Sequence, residues 1–217
     1  MRVYHLLSAK YAIENLKKQR LKVSLFADLN DPFELLSVEL SELANRKKFQ
    51  ELKKDINGKK GVLCFSRNWN NPVLWSHYGD KHKGICLGFD TPDTLLKKVI
   101  YKGERLPSDV KKELNEGNLN GRVEEKLLIT KFEHWQYEEE EERVILPLDK
   151  AYKEKELYFV NFCDNLKIKE VIVGARCKIN KAELEKSIET SLSAVLSTKA
   201  RLAFKTFEVT KDRRGFR

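Results

Sequence analysis

The strongest constraint in this chain is the run Glu138-Glu139-Glu140-Glu141-Glu142, which leads without a break into Arg143-Val144-Ile145-Leu146-Pro147. A block of like charges is ordinarily a solvated helix face. The β-branched and apolar residues that follow read instead as a strand. On a strand, Glu139, Glu141 and Arg143 share one face, while Glu138, Glu140 and Glu142 share the other. Like charges at that spacing repel and raise one another's pKa unless cations, water or a function compensate. Arg143 supplies part of that compensation on the face of Glu141, and one of the two faces is expected to look into a cleft.

The rest of the chain is basic. Its 42 Lys and Arg against 33 Asp and Glu give +9 overall, and +14 once the glutamate run is set aside. Such a field attracts the phosphates of nucleic acid or of a nucleotide, although a lysine-rich proteome gives the same number with no function attached. With 217 residues, 41% of them hydrophobic and only 10 Gly and 5 Pro, the chain is expected to bury its own core without a disulfide or a structural metal. A single domain over 1–217 is expected, with a core over 1–175, a C-terminal helix and edge strand over 179–210, and a basic, mobile tail over 211–217. Apolar stretches such as 144–148 and 171–175 are far shorter than the ~20 residues that cross a bilayer, and Met1-Arg2-Val3-Tyr4-His5 has no apolar signal region. A cytoplasmic location with no membrane partner follows as an expectation. Cys64, Cys86, Cys163 and Cys177 show no C-x-x-C pairing and are expected to be reduced, packed thiols.

Periodicity predicts strands over 3–7, 22–26, 61–66, 83–89, 98–101, 141–147 and 168–173. Helices are predicted over 10–19, with Ala12, Ile13 and Leu16 on one face, over 36–56 with a stop at Asn57-Gly58, over 109–130 and over 181–197. Asn180 with Glu183 has the residue types of a capping box for the last of these. Residues 71–79 read as a short helical turn, Leu29-Asn30-Asp31-Pro32-Phe33-Glu34 as turn chemistry, and 201–209 as an edge strand. Without a regular βαβ rhythm the fold class is α+β, a mixed and mainly antiparallel sheet with flanking helices.

Three segments hold polar and aromatic residues that a core does not require: Tyr4-His5, Trp75-Ser76-His77-Tyr78, and Trp135-Gln136-Tyr137 running into the glutamates. Each has a plain structural explanation. A strand histidine is commonly a hydrogen-bonded structural residue, and Trp75 and Tyr78 have the spacing of core anchors. Phosphate-loop, dinucleotide-binding and G-x-S-x-G patterns are absent, which excludes those nucleotide and hydrolase classes by motif. His77 and His82 are five apart and do not stack on a helix as metal ligands, so no metal site is expected. A faint nuclease pattern, Asp93 with Glu124, Glu125 and Lys126, leaves metal-dependent cleavage as one alternative. A non-catalytic nucleic-acid-binding module is the other.

The blocks Tyr4-His5, Asn30-Asp31-Pro32-Phe33-Glu34, Cys64-Phe65-Ser66, Trp75-Ser76-His77-Tyr78-Gly79 with His82, Lys83, Gly84 and Phe89, then Lys131, Trp135, Tyr137, Glu141 and Arg143, resemble a bacterial domain-of-unknown-function family, the one numbered twenty-nine seventy-one. The resemblance spans roughly residues 4–175. The family's spacing between its W-x-Y-E and E-x-R blocks is one residue shorter than here. The layout is in turn similar to the ADP-ribosyltransferase superfamily, which includes toxins and phage-defence effectors that consume NAD. That resemblance implies an ADP-ribosyltransferase-like fold, with His5 on the first strand, Ser66 or Tyr78 later, and a glutamate near the end. It implies Glu141 as the catalytic carboxylate, Glu139 as second choice and additional base, and His5, Ser66, Trp75, His77, Tyr78 and Arg143 as residues that bind NAD. His5 would orient the adenosine ribose, and Tyr78 or Trp75 would stack on nicotinamide. NAD is then the substrate, with nucleic acid or protein as acceptor and an antitoxin or defence-system protein as partner.

Overall fold

The structure, a computed structural model, describes residues 1–106, 121–138, 141–188 and 194–216. Eight strands make the main sheet. In spatial order they are β13 (Val209–Lys211), β12 (Leu196–Leu202), β11 (Lys167–Val173), β4 (Ile85–Asp90), β1 (Arg2–Leu7), β3 (Lys60–Ser66), β8 (Glu141–Pro147) and β5 (Lys97–Lys98). Neighbours run antiparallel except β11 and β12. The mixed, mainly antiparallel α+β architecture is therefore present.

Alternation along the central strands feeds two cores. Ile85, Leu87 and Phe89 of β4 join Val3, Val171 and Val173 on one face, where α1 (Ala9–Lys18) lays down Ala12 and Leu16. Strand β2 (Arg20–Val23) packs Leu21 and Val23 on that same side, within a small sheet completed by β10 (Leu157–Asn161) and β9 (Tyr152–Glu154). Cys86 and Ile172 project the other way and meet Trp75 of α3 (Pro72–His77), with Ala200 and Val209. Toward β3 and β8, α2 (Leu43–Lys59) and α4 (Gly121–Ile129) cover the sheet through Phe49, Ile56, Val123, Leu127 and Leu128. Two short parallel strands, β6 (Ile100–Lys102) and β7 (Thr130–Phe132), lie beside them. The Asn180 capping box is formed, opening α5 (Lys181–Glu185) between β11 and β12.

The feature that positions the site is a split in the sheet. Strand β1 pairs with β4 along its whole length, from Arg2 opposite Asp90 to Leu7 opposite Ile85. On its other side it meets β3 at the single register pair Tyr4 and Ser66. The inner edge of β3 finds other partners: Val62 exchanges backbone hydrogen bonds with Ser24 at 2.8 and 3.0 Å, and the Cys64 carbonyl accepts from the His5 ring at 2.8 Å. Buried backbone groups must be satisfied, so the split persists because a side chain and a loop replace the missing ladder.

Several sequence-based boundaries shift. The helix expected over 36–56 is Leu43–Lys59, because the backbone of Ser37 and Val38 is engaged by Leu106 and Arg105. Asn57 does not end it; its side chain donates to the Lys53 carbonyl and accepts from Ala27 N–H, which ties the helix to the Phe26 turn. Of the helix expected over 181–197, Lys181–Glu185 is helical, residues 189–193 lie outside the described residues, and Leu196–Leu202 is a strand instead. The single edge strand expected over 201–209 is replaced by the β12 and β13 hairpin, whose outer strand begins at Val209. The basic end is not a free tail: Lys211 pairs with Ala200, and Phe216 packs on the main core. Residues 107–120 of the helix expected over 109–130 lie outside the described residues. Cys163 is exposed rather than packed, while all four cysteines are free thiols. Among the described residues no helix is long and apolar enough to cross a membrane.

Close approach fixes the turn that leads into β4. A Cβ on Gly84 would stand 2.2 Å from the Leu7 carbonyl oxygen and 2.8 Å from that of Gly79, both backbone atoms. Gly84→Ala is expected to lower unfolding free energy by about 1–3 kcal/mol in urea titration, the usual cost of forcing a methyl into packed structure. An unchanged midpoint would refute this account.

Candidate active site

The split opens a cavity of about 230 Å³. Its walls come from β1 (Tyr4, His5, Leu6), from Leu63 to Ser66 of β3, from the 28–34 segment, and from Leu74, Tyr78, Lys131, Glu138 and Glu141. Hence His5, Ser66, Tyr78 and Glu141, chosen from sequence, converge on one cavity.

His5 stands where a strand hydrogen bond is missing. A carbonyl only accepts, so the Nδ1 facing Cys64 O carries the proton, and the neutral ring keeps Nε2 as an acceptor. Burial lowers the imidazole below its ordinary value and outweighs the opposing effect of the Cys64 hydrogen bond, which favours that neutral form. Ser66, buried, donates its hydroxyl to the Glu138 carbonyl at 3.4 Å and accepts from Asn68 N–H at 3.2 Å. It thereby holds the turn that carries Glu138.

Tyr78 is set by its helix. Asn71 caps α3 by accepting from Val73 N–H at 2.8 Å, and its amide donates to the Tyr137 carbonyl at 2.7 Å. The helix is thus fastened to the Glu133–Glu138 turn, and the Tyr78 hydroxyl at its far end donates to Glu138. Burial, then the neighbouring Glu138 charge, raises the Tyr78 phenol well above its ordinary value, so it remains a donor.

The carboxylates form a buried dyad around one ammonium. Lys131 Nζ donates to Glu138 at 2.5 Å and to Glu141 at 2.9 Å, and all three side chains are buried. Behind Glu141 lies Arg143, fully buried, whose Nε donates to Glu141 at 2.8 Å. Its other nitrogens bond both oxygens of Glu34, at 3.0 and 2.6 Å, and the Leu128 carbonyl at 2.8 Å. The two glutamates are driven apart in acidity. Burial and the Glu141 charge push Glu138 up to about 7. Burial would also push Glu141 up, but Arg143 and Lys131 outweigh it and hold that carboxyl far below its ordinary value. One member is therefore a fixed anion and the other can exchange a proton near neutrality, the division of labour that acid–base sites use.

Other sequence choices do not reach the cavity. Trp75 is fully buried in the core with Cys86 and Ile172, its indole N–H held by the Trp69 carbonyl at 2.5 Å, so it has no face for a ligand. His77 is exposed, its ring tilted against that of Tyr137 at 5.6 Å between centroids, and is not part of the cavity wall. Arg143 is enclosed behind Glu141 and acts on it rather than on a ligand. The alternation expected along the whole glutamate run does not extend to Glu138, which belongs to the preceding helical turn, while Glu142 turns away and clamps Arg67 at 2.6 Å. Glu139 and Glu140 lie outside the described residues. The acids of the nuclease alternative are apart: Asp93 pairs with the amino terminus, while Glu124 and Glu125 pair with Lys60 and Lys97. Among the described residues no group of three or more His, Cys, Asp or Glu is placed to hold a metal ion.

Sequence reasoning passed over Lys131, Glu138, Glu34 and Asp31 as site residues. The available signal was the N-D-P-F-E block, whose acids exceed what a turn needs, and the odd position of a lysine ten residues before Glu141. Removing Arg143 should expose the cost of this arrangement. Arg143→Met leaves Glu34 and Glu141 buried without their shared cation and is expected to cost about 3–5 kcal/mol of stability, read by urea titration at pH 7. A loss below about 1 kcal/mol would mean that the network contributes nothing.

A comparison with curated proteins and with solved structures finds no match. A family comparison does, over the stretch that contains Tyr78, Lys131, Glu138, Glu141 and Arg143 and excludes His5 and the N-D-P-F-E block. Residues 74–143 match the sequence model of the family described as a protein of unknown function, DUF2971.

Proposed function

We propose that the chain is an NAD-consuming enzyme that cleaves the bond between nicotinamide and ribose and passes ADP-ribose to an acceptor or to water. The observation that carries this reading is the convergence, in one sheet split, of a neutral imidazole, a tyrosine hydroxyl and a carboxylate dyad with opposed acidities.

The chemistry uses each part. Nicotinamide leaves C1′ of the ribose with the bonding electron pair, and positive charge develops on the sugar as in glycoside cleavage. Glu141, kept ionised by Arg143 and Lys131, stabilises that charge through a preorganised field in a site screened from water. The acceptor oxygen or nitrogen then bonds to C1′, and Glu138 takes the proton it sheds. Tyr78 and Lys131 hold Glu138 in place for that transfer. His5 Nε2 accepts from a ribose hydroxyl. A cavity of about 230 Å³ is smaller than the roughly 300–1,000 Å³ typical of whole-ligand pockets, so it takes the nicotinamide riboside half and leaves the pyrophosphate at the mouth. There Lys22, an exposed wall cation with no carboxylate partner among the described residues, faces it.

The experiment is nicotinamide release from NAD, with and without RNA, DNA and protein acceptors. Glu141→Gln is expected to lower kcat by about 10²–10³-fold, the scale of removing one preorganised electrostatic contact. Because Glu138 works as a base, kcat is expected to rise with pH through about 7 and then level, and Glu138→Gln to abolish that rise. No NAD loss with any acceptor, or full activity in both variants, would overturn the reading.

A nucleic-acid-binding role without catalysis is the second reading, and one surface supports it. At the hairpin joining β12 and β13, Phe204 and Phe207 are 87% and 98% exposed, with Arg201 4.8 Å over the Phe204 ring and Lys205 between them. Exposed aromatics among cations suit stacking on unpaired bases. Affinity for single-stranded RNA or DNA is expected to fall steeply with salt and to drop roughly 10-fold in the Phe204→Ala, Phe207→Ala double variant. Undetectable or salt-insensitive binding would remove this role.

A further inference from the structure

The N-D-P-F-E turn contains a carboxylate oxygen that the fold does not use. Asp31 is only 4% exposed and lines the cavity. Its Oδ1 accepts from Phe33 N–H at 2.9 Å, closing the turn. Its Oδ2 is buried with no hydrogen-bond partner. An Asx turn needs one side-chain oxygen, and asparagine supplies it as well as aspartate does. A buried acceptor left without a donor costs stability, so it marks either a defect or a place where a donor arrives from outside.

The surroundings identify that donor. The cavity wall combines apolar residues, among them Leu6, Leu63, Phe65 and Leu74, with polar ones, among them Asp28, Asn30 and Asp31 of one segment. A ligand that fits such a wall carries both an apolar face and hydroxyls. The two wall lysines do not neutralise Asp31: Lys131 is taken by Glu138 and Glu141, and Lys22 is exposed. The oxygen therefore calls for a hydrogen-bond donor, such as an O–H, and repels an anionic ligand group.

We propose that Asp31 is the specificity residue of this cavity, with Oδ2 accepting a hydrogen bond from a hydroxyl of the ribose vicinal diol of a bound riboside. The assignment rests on the reading of the cavity as a riboside site, and it adds that the 28–34 segment, outside the dyad, discriminates between ribose and deoxyribose ligands alongside His5. Asp31 positions the sugar and takes no part in bond cleavage.

The test is a binding cycle that does not depend on turnover. Calorimetry is run on the full chain with benzamide riboside, whose carbon–carbon glycosidic bond resists cleavage, and with its 2′,3′-dideoxy analogue. Wild type is expected to bind the parent riboside at least about 10-fold more tightly than the analogue, the scale of a hydrogen bond to a charged group. Asp31→Asn keeps the Oδ1 turn and is expected to shrink that preference by about five-fold or more, by weakening the parent alone, the remainder belonging to the His5 contact. Asp31→Ser, which also supports the turn, is expected to do the same and guards against a folding artefact. An unchanged preference in both variants overturns the role of Asp31 while leaving the cavity's ligand class intact. No binding of the parent riboside to wild type overturns both. Binding with the expected cycle but no loss of NAD refutes the proposed reaction and leaves Asp31 standing as a ribose contact.

Discussion

Every feature of the site depends on the divergence of β1 from β3. A continuous ladder between them would have sealed the sheet, since backbone hydrogen bonds in a sheet interior are rarely surrendered. The molecule surrenders them here because three different groups take over: the Ser24 backbone at Val62, the His5 imidazole at Cys64, and the single Tyr4 pair at Ser66. The consequence is a cavity at the split in the sheet, walled by β1 and β3 together with the 28–34 segment, Leu74, Tyr78, Lys131 and the glutamates. Groups set on such walls are held with little freedom, which is the condition for electrostatic preorganisation.

Into this split the chain delivers charge that no ordinary core accepts. Glu34, Glu138 and Glu141 are buried with Lys131 and Arg143, so three acids share two cations in a space largely closed to water. Charges taken from water are costly unless paired and hydrogen-bonded, and here Arg143 meets both conditions by bonding Glu34, Glu141 and a helix-end carbonyl together. The residual imbalance falls on Glu138, which burial and Glu141 lift toward neutrality while Arg143 and Lys131 keep Glu141 ionised. A fold built for stability alone would replace this group with packed apolar residues; its presence beside a cavity makes it a candidate functional site.

The scaffold also couples distant segments to that point. Asn71 joins the cap of α3 to the turn before β8, and Ser66 fastens the same turn to the end of β3. The hairpin of β12 and β13 is tied to the neighbouring residue, since Val209 N–H donates to the Asn70 carbonyl at 2.7 Å. The exposed Phe204 and Phe207 are thus carried by an element anchored beside the loop that leads from β3 to Tyr78. The hairpin, the loop from β3 to Tyr78 and the cavity wall therefore belong to one connected framework.

Local pattern was enough for the α+β class, the strands around Val3, Leu63, Leu87, Ile145 and Val171, the Asn180 cap, and the suspicion that a glutamate run entering a strand must face something other than bulk water. Those are properties of periodicity and charge spacing, and they survive in any fold. Local spacing read Trp75 as a core anchor and Arg143 as compensation for Glu141, as the structure has them; it was the resemblance that made both ligand contacts, because a motif does not say which way a side chain faces. It also could not set the start of α2, where a long-range bridge between Val38 and Leu106 overrides helical spacing. Sequence by itself determined which residues carry charge and which alternate. Only tertiary structure decided that β1 and β3 part company, that Lys131 and Arg143 flank Glu141 from two sides, and that an oxygen of Asp31 is left without a partner. Those outcomes depend on contacts between residues as far apart as Glu34 and Arg143, whose energies no local window contains.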